Sequence, residues 1–246
     1  MEKEYFDKSN EIMFMGRDKV KENKRFSYFD LALLAFGGLG LEVVLIFIES
    51  ALYGTSNTNE WEVGKVLLHW SITWIIWGIV SYLVYKNAKK NGFDLFAAKE
   101  KPPTRNLILA ILALCLAIFI GFIDWGYEFK PVAEFIGKTS SYGMPGGTVA
   151  FVFQYVYYFI ESVLFILIIA LGQQAGEDKF KVEYTKYIPW GGIMCGLTWG
   201  LVHILTKDLA TGLGCLVMSI LYGIVYLLLK KNIRYAYIII SLMFAL

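Results

Sequence analysis

In the run "YVYYFIESVLFILIIALG" (155–172) a single carboxylate, Glu161, interrupts a stretch that is otherwise apolar or aromatic. An ionised carboxylate at the centre of a bilayer costs at least ~2.5–3.5 kcal/mol, so such a residue is a candidate for function. Gln154 and Tyr158 precede it at spacings that place all three on one helix face. A polar stripe of this kind has to face other helices or a wet cavity. A carboxylate held out of water can act as a base near neutral pH, and an imidazole beside it can share the proton or orient a water. The imidazole on offer is His203, four residues after Trp199 in "GGIMCGLTWGLVHIL".

The other ionisable residues in apolar runs read more simply. Glu42 and Glu49 lie seven apart on one face of the first run, "LALLAFGGLGLEVVLIFIES", where the glycines allow close helix approach. Glu42 is deep enough to line a cavity, whereas Glu49 is expected to reach the headgroup region. His69, beside Trp70, reads as part of an interfacial aromatic belt, and Asp124 as a boundary residue. No metal or other cofactor is expected, because two histidines and no HExxH do not make a zinc site. Cys115, Cys195 and Cys215 show neither a disulfide framework nor a CxxC knuckle and read as small apolar fillers.

The elements that must position these residues are membrane helices. The chain has 246 residues, 57% hydrophobic and 18% charged, with a mean hydropathy of +0.53. Soluble domains carry about 25% charged residues, so the totals point to an all-α polytopic membrane protein. Runs near the ~20 apolar residues a span needs predict six long helices, at 31–53, 64–86, 106–125, 149–173, 188–206 and 209–230. A seventh apolar run, 235–246, is too short to cross unaided. Residues 1–29 form a charged tail without the long apolar stretch of a signal peptide, and 30–246 a single helical domain. Residues 126–148 read as an amphipathic segment ending in a Pro-Gly-Gly turn, and 174–187, "QAGEDKFKVEYTKY", as a polar loop.

Lys and Arg alternate between rich and poor connections: seven before residue 31, six in "KNAKKNGFDLFAAKEKPPTR", three in 174–187 and three in "KKNIR", against one or two in the loops between. That alternation predicts a cytoplasmic N-terminus in a cell membrane. The Lys-, Asn- and Ile-rich connections suggest a low-GC bacterium. A net charge of +2 gives no reason to expect nucleic acid as a partner.

"ESVLF" and "WGLVH" together resemble the first two motifs of the CAAX protease and bacteriocin-processing family, the glutamate-dependent intramembrane endopeptidases. The family's motifs are EExxxR, FxxxH and, on a later helix, HxxxN. Glu161 matches the first glutamate and Phe165 the usual phenylalanine, while Ser162 and Ile166 replace the second glutamate and the arginine. Trp199 and His203 match the second motif with one aromatic exchanged for another. No histidine follows His203, and Ser241 and Ala245 stand where the third motif belongs. The resemblance covers about 145–246 and implies a bundle of the family's kind. It also implies that Glu161 and His203 are the remnant of a water-activating pair, with Gln154, Tyr158, Trp199, Ser241 and Glu42 lining the cavity. Loss of even one oxyanion donor typically costs about 10²–10³ in rate.

The expected function is therefore that of a family member with lost or reduced proteolysis, serving as a membrane scaffold, regulator or immunity-type protein. Its partners would be the bilayer and another membrane protein or a peptide. The alternatives are an active, divergent endopeptidase using Glu161 and His203, and a small ion or proton-coupled transporter using Glu42, Glu161 and His203.

Overall fold

The computed structural model describes residues 26–246 except 56, 98, 181 and 182; most of the expected 1–29 tail lies outside them. Every regular element among the described residues is helical. In chain order they are α1 Tyr28–Tyr53, α2 Val63–Lys90, α3 Thr104–Asp124, α4 Lys130–Lys179, α5 Trp190–Cys195, α6 Leu201–Thr206, α7 Leu209–Leu228 and α8 Ile233–Ala245. Two short 3₁₀ turns, Thr58–Glu60 and Glu183–Tyr187, and a π-helical turn, Gly196–Gly200, complete the set.

Each helix begins where the local sequence stops competing with it. Ser27 closes a capping box on α1: its hydroxyl accepts from the Asp30 N–H at 3.1 Å while the Asp30 carboxylate accepts from the Ser27 N–H at 2.8 Å. Two donors left over by the first turn are thereby satisfied. Ser27→Ala is expected to cost about 1 kcal/mol, and Ser27→Asn to recover most of it. The readout is the thermal unfolding midpoint in a fixed detergent.

Among the described residues five helices are long and apolar enough to cross a membrane: α1, α2, α3, α4 and α7. Six long spans were expected. The difference lies at 188–206, where the apolar helix Trp190–Leu205 is shorter than a span and is interrupted by the π turn. The final run folds as expected, as the 13-residue α8. It packs on α3, α4 and α7.

α4 is the hub. Its apolar window is 61% buried within the protein, against 11% for α3, so α4 runs through the centre and α3 along the edge. α1, α2, α5 and α8 all pack on it. Its 50 residues contain one break, at Gly143, whose φ of +71° belongs to the left-handed region that glycine enters without steric cost. Pro145 follows and restarts the helix, as proline does readily in a first turn. The limb before the break doubles back on the limb after it: Gln154 hydrogen-bonds Glu134, and Phe135 meets Phe151 edge-on at 5.4 Å. The expected amphipathic segment is thus the short arm of a helical hairpin. The expected polar loop at 174–187 is partly helix, because α4 continues to Lys179.

Candidate functional site

Glu161 sits half-way along the long limb of α4 and is buried, 8% exposed. The π turn brings Trp199 to it. Inserting an extra residue into a turn shifts the side chains that follow, and such bulges recur at functional sites. The Trp199 indole stands close to the Glu161 carboxyl. The ring of Trp199 also packs at 4.7 Å from Phe165 and 4.5 Å from His203. Trp199 therefore touches both members of the expected pair.

The pair itself is not joined. Among the described residues no hydrogen bond or ion pair connects Glu161 to His203. The half-buried His203 ring lies one turn beyond Trp199, with Nδ1 2.9 Å from the Trp199 carbonyl oxygen. A ring nitrogen in that position carries the proton and donates it to the carbonyl. Trp199 thus packs on Phe165 and on His203, while the His203 imidazole turns back to its own helix.

The expected cavity-lining residues divide among three places. Gln154 and Tyr158 turn to Glu134 on the short limb of α4. Tyr158 donates its hydroxyl to Glu134 Oε1 at 2.6 Å, and the Gln154 amide donates to the same oxygen at 2.8 Å. Tyr155 donates to Glu134 Oε2 at 2.9 Å, so this carboxylate takes three donors. Ser241 donates its hydroxyl to the Tyr237 carbonyl of its own helix and offers no donor to Glu161. Glu42 turns the other way, to Tyr157 and His69.

Two further expectations need correction. Glu49, expected at the headgroups, is 3% exposed, and His69, expected in an aromatic belt, is 5% exposed. The two side chains face each other at 2.6 Å. Burial between helices gives the two groups each other as partners, which lipid could not supply.

Sequence reasoning missed Phe244, the residue that α8 delivers in place of a third motif. Its ring lies 4.9 Å from Phe165 at 90°, 5.3 Å from Tyr158 and 5.9 Å from Trp199. The trio Phe165, Trp199 and Phe244 makes an aromatic wedge where α4, the π turn and α8 meet. Lys130, at the start of α4, closes its edge by donating to the Phe244 carbonyl at 2.8 Å while its ammonium lies 4.6 Å from the Tyr158 ring centre. A desolvated cation over an aromatic face is held by about 2 kcal/mol. The only hint in the sequence is Phe244 itself, one residue from the expected third-motif position.

Beside the wedge lies a cavity of about 530 Å³ between α3, α7 and α8. Trp199 and Phe244 form its inner wall, Cys215 and Tyr222 its side, and Asp124 and Lys130 lie in its lining. That volume suits one chain-like or drug-sized group. Glu161 and His203 do not line it.

No protein-family model matches the chain, and comparison with curated proteins and with solved structures finds no match.

Proposed function

We propose that this chain is a membrane protein built on the CAAX-protease plan whose water-activating pocket has become a closed aromatic core, and that it binds a membrane partner instead of cutting one. The observation that carries this reading is the wedge of Phe165, Trp199 and Phe244. Hydrolysis by a carboxylate needs a water within hydrogen-bond reach of the base and donors aimed at the oxyanion. Trp199 stands beside Glu161, the Ser241 hydroxyl is spent on its own helix, and the His203 imidazole turns to the Trp199 carbonyl. The opening beside the wedge is the cavity between α3, α7 and α8, lined mainly by apolar side chains with Asp124 and Lys130 among them. It accommodates an apolar chain or side chain that carries a polar end. On the alternation of basic residues, the N-terminus faces the cytoplasm of a bacterial cell membrane and the α1–α2 connection faces outward.

The test is a cleavage assay on purified protein in lipid nanodiscs, with a prenylated CAAX-type peptide and a transmembrane peptide as substrates. Wild type is expected to give no product above the level of Glu161→Ala. A photo-crosslinker at Val217, on the cavity wall, is expected to trap a membrane protein or peptide in native membranes. Cleavage that Glu161→Ala abolishes would establish an active endopeptidase instead, and proton-driven uptake in liposomes would establish a transporter.

A further inference from the structure

A second set of ionisable groups lies where the α1–α2 connection closes, and the Glu161 pocket makes no use of it. His69 on α2 is flanked by two carboxylates of α1: its Nδ1 is 2.6 Å from Glu49 Oε2 and its Nε2 is 3.3 Å from Glu42 Oε1. Tyr157 of α4 donates its hydroxyl to Glu42, 2.7 Å from each oxygen. Glu49 and His69 are almost fully buried.

A neutral imidazole has one N–H and one lone pair. Placed between two carboxylates it can satisfy only one of them, and at the other contact its lone pair would face a carboxylate oxygen. Both contacts become hydrogen bonds only when the group holds one proton more than the neutral ring. That proton makes either an imidazolium between two carboxylates or a neutral ring accepting from one carboxylic acid. The 2.6 Å separation is short, as charge-assisted bonds are. Glu49 Oε1 supplies an independent sign that the site is built for a ligand: it is buried and has no hydrogen-bond partner. An unpaired oxygen of a buried carboxylate is costly, and an added proton held within the group lowers that cost by reducing the charge buried there.

We propose that Glu42, Glu49 and His69, with Tyr157, form a buried proton-binding site that clasps α1, α2 and α4 together. Binding adds one H⁺ from the aqueous phase beyond the 54–62 connection. One N–H or O–H bond forms at the site as an O–H bond of hydronium breaks and releases water, and the charge of the three groups rises from −2 to −1. Trp61 closes the site. It is 3% exposed, stands edge-on to His69 at 5.8 Å and to Tyr53 at 5.0 Å, and donates from its indole to the Thr55 carbonyl. Of the charged groups in this closure, Lys65 lies over the Tyr53 ring, Thr55 and Asn57 hold the Glu60 carboxylate, and Glu62 is exposed. On the α4 side Glu161 lies close enough to Glu42 and Tyr157 to act on them electrostatically. A deprotonated site leaves two like charges facing a neutral ring, so loss of the proton loosens the three helices at this end. The site does not depend on whether Glu161 binds, cuts or does neither.

The chain's two histidines make the test direct. Protein carrying ¹⁵N-labelled histidine, in nanodiscs at pH 7.5, is read by solid-state NMR, with His203→Gln to assign His69. A free histidine is about nine-tenths neutral at that pH. His69 is expected to show two N–H nitrogens, or else one lone-pair nitrogen together with an infrared carboxylic-acid band that Glu49→Gln or Glu42→Gln removes. A neutral His69 with no such band overturns the proposal. Because the wild-type spectrum carries the answer, a variant that fails to fold does not rescue it; His69→Gln serves as the alternative assignment.

Discussion

Gly191→Leu is expected to abolish assembly of the bundle. α5 is wedged between α4 and α7 by two adjacent glycines that face opposite ways. A Cβ on Gly191 would overlap the Ile169 carbonyl oxygen, standing 2.7 Å from the carbonyl carbon and 2.9 Å from the Ile169 Cα. A Cβ on Gly192 would stand 2.5 Å from the Ser219 carbonyl oxygen and 3.0 Å from the Gly223 Cα. All of these neighbours are backbone, so no rotamer change relieves them and the helices have to separate. Overpacking of side chains costs typically ~1–3 kcal/mol, and a clash with two helix backbones exceeds that range. Helices in lipid associate through close packing and not through a hydrophobic driving force, so the loss is not recovered elsewhere. The measurement is monodispersity in mild detergent. Wild type and Gly37→Leu, where a Cβ meets nothing within 4 Å, should elute as one peak, and Gly191→Leu and Gly192→Leu should aggregate. A monodisperse Gly191→Leu with unchanged thermal midpoint would show that α5 does not cross α4 this closely.

The second large effect is expected from Lys231→Met, at the opposite end of the bundle from His69. The Lys231 ammonium bonds both oxygens of Glu177, at 2.5 and 2.6 Å, and the Gln173 amide donates to the same carboxylate at 2.7 Å. Gln173 also accepts from the Gly191 N–H and donates to the Ile188 carbonyl, so this cluster ties the end of α4 to the start of α5. Lys99 adds the α2–α3 connection by donating to the Lys231 carbonyl at 2.8 Å. Burial, and after it the Lys231 charge, holds the Lys99 amine below the ordinary lysine range. Lys230 and Lys231 both adopt a φ of +57°, an unusual conformation for residues with side chains, and in it the α7–α8 turn presents Lys231 to Glu177. Removing one partner of a fully buried pair costs about 3–5 kcal/mol, and an exposed pair is worth ~1 kcal/mol or less. With side chains 29% and 17% exposed, this pair belongs between them, at roughly 2 kcal/mol. Adding Glu177→Gln to Lys231→Met should recover part of the loss, because the uncompensated charge is then gone. Strictly additive thermal midpoints would show that the pair contributes nothing.

The two predictions rest on different kinds of information. The apolar runs that mark α1, α2, α3, α7 and α8 can be read directly from composition, and their observed ends fall within a few residues of the expected ones. The reason is physical: a chain in lipid must satisfy its backbone within each segment, so an apolar run of sufficient length is a helix wherever its neighbours lie. The hairpin of α4 was half visible. "YGMPGG" announces a break, but the Glu134 to Gln154 contact that folds one limb on the other needs both limbs in place.

The candidate site divides in the same way. That Glu161 is buried, and that Trp199 and Glu161 belong together, follows from one acid in an apolar run and a motif spacing in the next helix. That His203 turns back to the Trp199 carbonyl and makes no hydrogen bond to Glu161 does not, because the π turn alters the helix register in a way no residue pattern states. Glu49 and His69 carried a usable signal, an acid near the end of one span and a histidine near the start of the next, on helices that a short connection makes neighbours. By itself the sequence determined which segments are helical and which polar groups lipid could not accommodate. The tertiary structure decided which of those groups meet, because a buried polar side chain is satisfied by whichever partner the crossing of two helices brings within about 3 Å.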